Sequence, residues 1–149
     1  MIVEVVPGCE GHVAAIVAGM DKTERDAAIS AGVQPETGLA IVVSLSAYCR
    51  TLMLDGVPVA IWGVVGPLHA ECGEVWLSLT NAGRRIPKTF VCVARAELKA
   101  MLEIRLELTA ALVCCDARAV RFMRFLGFKG EALIESDGRI LPRGVLRRN

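Results

Sequence analysis

The stretch "CRTLMLDGVPVAIWGVVG", residues 49–66, constrains the fold more than any other part of the chain. Asp55-Gly56 divides two apolar runs, and a type I′ turn needs positive φ at both central positions, which Gly tolerates and Asp accepts. Two antiparallel strands follow, over residues 49–54 and 57–65. Pro58 has no amide donor, so it belongs at an edge, at a bulge or at the start of its strand.

The elements around this hairpin are read from periodicity and stop signals. "MIVEVVP" reads as a first strand. A helix is expected over residues 10–20 and a second over 22–31, where Asp21 caps and Gly32 terminates. "ETGLAIVVSLSAY" has a long β-branched run that suits helix or strand, and its length and the strand behind it favour a helix. "GEVWLSLT" is another strand. From Pro87 to about residue 106, Val91, Ala94, Leu98, Met101 and Leu102 fall on one helical face, with proline well placed in the first turn. "TAALVCC" reads as a buried strand, and Asp116 caps the helix behind it. There Ala119, Phe122, Met123 and Leu126 stand at i, i+3, i+4 and i+7, and Gly127 ends the run. Asp137-Gly138 marks a last hairpin.

The late strand-helix-strand crossover requires parallel pairing, whereas hairpins are antiparallel. The expected architecture is therefore a single α/β (α+β) domain over residues 1–149, with a mixed central sheet of six to seven strands flanked by helices. With 54% hydrophobic and 22% charged residues, such a domain fills its core easily and buries roughly two thirds of its unfolded surface.

Composition excludes several classes. No apolar run reaches the roughly 18 residues of a membrane span, and the N-terminus lacks the basic and apolar regions of a signal peptide. A soluble intracellular protein is expected. Six scattered cysteines without CxxC spacing are expected to be buried free thiols, and His12 and His69 form no cluster with them, so no metal site is expected. A formal charge of +1 makes the whole chain no electrostatic trap for nucleic acid.

The element order, with "DGVPVAIWGVVG" in the middle and "ARAVRFMRFLGF" (residues 117–128) near the end, resembles the GNAT superfamily of acyl-CoA N-acyltransferases. The late helix of that family has the form A-x-x-F-Y-x-x-x-G-F. Ala119, Phe122, Gly127 and Phe128 match it, and Met123 stands at the tyrosine position. A narrower likeness is to small GNAT-like proteins of short-tailed phages, described as internal virion or core-assembly proteins. They share the "DG-x-P" hairpin entry, a Trp-containing strand like "EVWLSLT", a following helix without a glycine loop, and the strand-helix ending.

The resemblance implies acetyl-CoA or CoA as cofactor, its diphosphate held by an R/Q-x-x-G-x-G/A loop after the central strand. The corresponding loop is "LTNAGRRIPKTF". Leu79, Thr80, Asn81, Ala82, Gly83, Arg84 and Arg85 are the candidate cofactor residues, and Lys88 adds charge. Only one glycine of the pattern is present, and Pro87 removes an amide donor. The plain alternative is a solvated basic loop.

For catalysis the family position points to Glu74 or His69 as base, though either reads equally as an exposed polar residue. Met123 cannot donate a proton and fits as a core filler. Tyr48, the only tyrosine, is the substitute acid if the fold brings it near, and otherwise a packing anchor. Cys114 and Cys115 read as small apolar fillers, and Trp62 and Trp76 as core. Arg118, Arg121, Arg124, Arg139, Arg143, Arg147 and Arg148 offer a basic face to DNA or an acidic partner, or are simply solvated.

What the resemblance implies is a virion assembly or internal virion component with weak or no acetyl transfer. It would be found in the host cytoplasm during assembly and then in the virion, with other virion proteins as partners and no membrane. The alternative is an active acetyl-CoA-dependent N-acetyltransferase on a protein or small amine.

Overall fold

The computed structural model describes the backbone of residues 1–66, 70–111, 117–136 and 139–148, and the side chains of all of these except 111, 117–119, 131–136 and 139–143. Strand β1 (Val3–Pro7) leads through a 3-10 turn (Glu10–His12) to α1 (Val13–Ala18), α2 (Lys22–Ser30) and α3 (Pro35–Leu45). Next come β2 (Ser46–Leu54), β3 (Val57–Val65), β4 (Cys72–Leu79), the single turn α4 (Asn81–Arg84) and the long α5 (Pro87–Ile104). Strand β5 (Glu107–Ala111), α6 (Ala117–Phe125), β6 (Lys129–Ser136) and β7 (Arg139–Arg147) complete the chain. One seven-stranded sheet runs β1-β2-β3-β4-β5-β7-β6, with β4 and β5 parallel and every other pair antiparallel.

The opening hairpin forms as its turn residues require. Asp55 and Gly56 have φ of 51° and 79°, and the Asp55 carboxylate accepts the Ile2 N–H at 2.7 Å while its own N–H donates to Ile2 O at 2.8 Å. The turn therefore also anchors the start of β1. A register shift between Leu52 and Met53 sets Pro58 opposite Met53, and β3 meets β4 only from Ala60 onward. The missing proline amide thus falls at a bulge, outside the β3–β4 ladder.

The helix stops also act as expected. Asp21 accepts the Thr23 N–H at 3.2 Å at the start of α2, and Gly32 and Gly127 have φ of 77° and 102°. "ETGLAIVVSLSAY" departs from the all-helical expectation. α3 ends at Leu45, the Ser46 hydroxyl donates back to Val42 O at 2.6 Å, and Ser46 and Tyr48 pair with Val65 and Val64 of β3. Sheet pairing claims these last residues because their backbone groups gain partners there. The cysteines depart from expectation in burial. Cys9, Cys72 and Cys92 are free but exposed, and Cys49 is half-buried, because they fall in a loop, at a strand's first residue and on the solvent side of α5. Cys114, Cys115, Asp116 and the Asp137-Gly138 turn lie outside the described residues.

The alternation of β2 and β3 builds two cores. Leu52, Trp62 and Val64 pack with Phe90, Leu98 and Met101 of α5 and with Phe122 and Met123 of α6. Ile61, on the opposite face, packs with Val13, Ile16 and Val17 of α1 and Leu39 of α3. The sheet is thus sandwiched between α1 to α3 and the α5/α6 pair. Among the described residues no single helix is long and apolar enough to cross a membrane.

Candidate functional site

β4 and β5 pair over only three positions, Cys72↔Glu107, Gly73↔Leu108 and Glu74↔Thr109. Beyond Glu74 the strand continues to Leu79, paired with β3 and, among the described residues, with no partner on the β5 side. Where a strand has unpaired backbone N–H and C=O groups, an extended ligand can add as a further strand would. Leu77 at this edge is 40% exposed. Trp76 lies across Gly63, where a Cβ would meet its ring at 2.9 Å, and its indole N–H donates to the Ser46 hydroxyl at 2.7 Å.

The connection after β4 was the expected phosphate loop, and its amides point inward. Thr80 N–H donates to Val59 O at 2.9 Å and Asn81 N–H to Gly19 O at 2.8 Å. The buried Thr80 hydroxyl donates to Val59 O at 2.8 Å and accepts Gly83 N–H at 3.2 Å, capping α4. Arg84 and Arg85 N–H close onto Thr80 O and Ala82 O at 3.1 and 3.2 Å. Gly83 serves close packing: a Cβ there would meet Leu79 Cδ1 at 2.5 Å and Val59 O at 2.7 Å. α5 then begins with Pro87, which has no N–H, while Phe90 N–H is bonded to Ile86 O at 2.9 Å. An anion at a helix start needs free amides; here the amides of Thr80, Asn81, Gly83, Arg84, Arg85 and Ile86 are spent within the turn, and α5 opens with Pro87 and no side-chain cap. Arg84, Arg85 and Lys88 are exposed and supply charge without that cradle. A diphosphate here would meet the charges of Arg84, Arg85 and Lys88 and the uncapped first turn of α5, without the amides that the turn before it has engaged.

Beside this turn lies an acid that the sequence reading missed. Glu24 reaches from α2 to Ser78 of β4, four residues beyond Glu74, and accepts its hydroxyl proton at 2.9 Å. Ser78 is buried. Glu24 is held above the ordinary carboxylate value of 4.5, first by burial and then by Asp21, with the Ser78 bond and Arg84 opposing. A carboxyl raised by burial holds its proton more readily than a solvated one, which suits it to proton exchange. In the sequence, Asp21-x-x-Glu24 reads as a helix capping pair, and that role concealed it.

A second acid lies on the opposite face of the sheet. Glu97 of α5 is buried, and its Oε2 accepts the Tyr48 hydroxyl and, at 3.3 Å, the Trp62 indole N–H. Arg50 Nε stands 3.8 Å from Glu97 Oε1, and its guanidinium lies 5.8 Å from the Tyr48 ring centroid. Burial, then Glu97, push the Tyr48 hydroxyl up to about 12, with Arg50 opposing. This binds Tyr48 into a network under α5, so it is no free proton donor. The signal for Glu97 was its place on the apolar face, between Ala94 and Leu98.

The remaining candidates are dispersed. Glu74 is exposed at the last β5-paired position, and His69 lies outside the described residues. Met123 packs in the α5/α6 core. His12 Nδ1 is 2.8 Å from the buried Thr51 hydroxyl on the other face. The described residues contain no group of three His, Cys, Asp or Glu placed to hold a metal ion. Of the arginines, Arg121 and Arg124 are exposed on α6, and Arg147 pairs with Glu107 at 3.0 Å.

No family model and no curated protein matches the sequence. Solved structures do match in fold. An aminoglycoside acetyltransferase, AAC(6')-Ib, with coenzyme A bound superposes with a TM-score of 0.72 at 13% identity, covering 99% of this chain and 95% of that one. A GNAT-family acetyltransferase from Streptococcus pneumoniae gives 0.67 at 11% identity over 99% and 100% of the two chains. An N-acetyltransferase from Staphylococcus aureus Mu50 gives 0.68 at 12% over 99% of each. The fold is that of the GNAT acetyltransferases.

Proposed function

We propose that this chain is a GNAT-fold protein in which acetyl transfer is lost or weak, working in virion assembly or as an internal virion component. The observation that carries the first half is the inward-turned connection after β4, where Asn81 and Gly83 N–H bond to Gly19 O and Thr80 Oγ1 and Pro87 opens α5. A diphosphate there meets side-chain charge and the first turn of α5, but not the amides of the preceding turn, so fewer amides converge on it than a tight site needs. The virion assignment is supported by the set of features shared with the short-tailed phage proteins, above all the Asp55-Gly56-x-Pro58 entry and the absent glycine loop. Such a protein works in the host cytoplasm during assembly, among other virion proteins.

Isothermal titration with acetyl-CoA tests the first half: no binding at sub-millimolar concentration is expected, and saturable binding overturns it. Presence of the chain among the proteins of purified particles tests the second.

The open β4 edge and Glu24 favour a second reading, an active N-acetyltransferase on a protein or small amine. Acetyl-CoA, when bound, supplies the acetyl group as a thioester. Glu24 would take the acceptor amine's proton, and Arg84, Arg85 and Lys88 would hold the cofactor by charge. On this reading Arg84→Ala with Arg85→Ala abolishes acetyl-CoA-dependent turnover, and Glu24→Gln lowers it with its pH profile shifted; turnover undiminished in both variants removes the reading.

A further inference from the structure

The α5/α6 side of the molecule carries a feature that neither reading uses. Between the C-terminal half of α5 and β7 lies an open depression of about 630 Å³ whose floor is Leu98, Leu102, Leu126 and Leu146. Its wall at β7 is fixed from within the chain. The Arg148 guanidinium folds back onto Leu102 O at 2.5 Å and Glu103 O at 2.9 Å, capping the end of α5, and Arg147 pairs with Glu107.

Arg95 and Lys99, exposed on α5, line the depression, and Arg121 and Arg124 are exposed on neighbouring α6, outside its lining. None of the four has a carboxylate at ion-pair distance among the described residues, and Glu103 is the only acid on the rim. Arg95 lies 4.5 Å over the ring of Phe125, which is 57% exposed. Stacking holds that guanidinium in place while leaving its N–H edge free for a carboxylate. The net charge of +1 shows that this concentration of cations is local.

We infer that this depression docks an acidic amphipathic helix of a partner protein. The apolar floor between α5 and β7 can receive leucine-like side chains at i, i+3, i+4 and i+7, and Arg95 and Lys99 on its rim match acidic residues flanking them. Charge complementarity selects this occupant. A second copy of the chain would bring the same cations against each other, and duplex nucleic acid would leave the leucine floor unused, since its interfaces are polar and phosphate-dominated. The inference is independent of whether acetyl-CoA binds.

The test uses the full chain and a fluorescein-labelled helical peptide of about five turns bearing Leu at those positions and Glu elsewhere. Its partners in the assay are a scrambled peptide of the same composition, a Lys-for-Glu peptide, and a DNA duplex of about 20 base pairs. Fluorescence anisotropy should show saturable binding of the first peptide alone, weakening with salt. Arg95→Glu with Lys99→Glu should weaken it at least about tenfold, Lys99→Gln alone by a smaller factor, and Lys22→Glu on distant α2 not at all. Thermal unfolding of each variant confirms that the fold is intact. Equal binding of the scrambled peptide, preference for the duplex, or indifference to the charge reversals would overturn the inference.

Discussion

Glu24 and Glu97 are both helix carboxylates pressed against the same sheet from opposite faces, yet their surroundings differ. Glu97 receives two donors, the Tyr48 hydroxyl and the Trp62 indole, and faces the Arg50 cation. Glu24 receives one, the Ser78 hydroxyl, and burial outweighs the help it gets from that bond and from Arg84. A carboxylate surrounded by donors serves as a structural tie, whereas one that burial holds above its ordinary value keeps a proton available to exchange. The comparison therefore separates stability from chemistry, and it is Glu24 that stands beside the open edge of β4.

The largest effect should come from breaking the tie. Glu97→Ala leaves the buried Trp62 indole and the half-buried Tyr48 hydroxyl without their acceptor and Arg50 without its counter-charge, a loss of about 3 kcal/mol. For a domain of this size that lowers Tm by roughly 10 °C in thermal unfolding. A drop of only a degree or two would show that Glu97 is no more embedded than Glu24.

How far each acid was legible follows from the same contrast. Elements that local chemistry specifies were readable: the Asp55-Gly56 turn, the Asp21 cap and the Gly32 and Gly127 stops all act in the structure as their residues require. Glu97 left a trace, a charge inside the apolar stripe of α5. Glu24 left none, because a glutamate three residues after a capping aspartate is common at any helix start, and its partner Ser78 is 54 residues away. The amides of the turn after β4 were hidden for the same reason. Only the fold brings Gly19 O and Val59 O to them.

Tyr48→Phe removes one of the two donors on Glu97 and should cost about 1 kcal/mol. It also carries a pH signature. The folded protein holds the Tyr48 proton up to about 12 against an ordinary 10.0, chiefly through burial, so the folded state binds the proton more tightly than the unfolded chain. That contribution is fully present below pH 10 and is lost as pH rises towards 12. Cys49, raised to about 11 by burial and then by Cys9, adds to the alkaline loss in both proteins. The difference between wild type and Tyr48→Phe in urea unfolding therefore isolates Tyr48, and parallel curves between pH 9 and 12 would detach it from Glu97.

Ser78→Ala tests the other side. It takes away the one hydroxyl that favours the ionised form of Glu24, so the carboxyl should move further up, at a stability cost somewhat below 1 kcal/mol because a single bond to a half-buried group is lost. Side-chain carboxyl NMR should show the upward move, and an unchanged Glu24 titration would mean that the bond does not matter to it.

The smallest effect on stability, and the most diagnostic for chemistry, is Glu24→Gln. Glutamine still accepts the Ser78 proton, so at pH 4, where Glu24 is itself mostly protonated, wild type and variant should match within about 0.5 kcal/mol. Because burial raises Glu24 above 4.5, the folded state retains its proton better than the unfolded chain. Its contribution is therefore complete below that value and is lost as pH rises through the raised one. Glutamine has no charge to bury, so the variant should become the more stable protein on going from pH 4 to pH 7, read from urea midpoints at each pH. At Glu97 the same Glu→Gln change should instead destabilise at neutral pH, since Arg50 loses its counter-charge. If Glu24→Gln gains nothing on wild type between pH 4 and pH 7, nothing but position would mark Glu24 as the group that could move a proton beside β4.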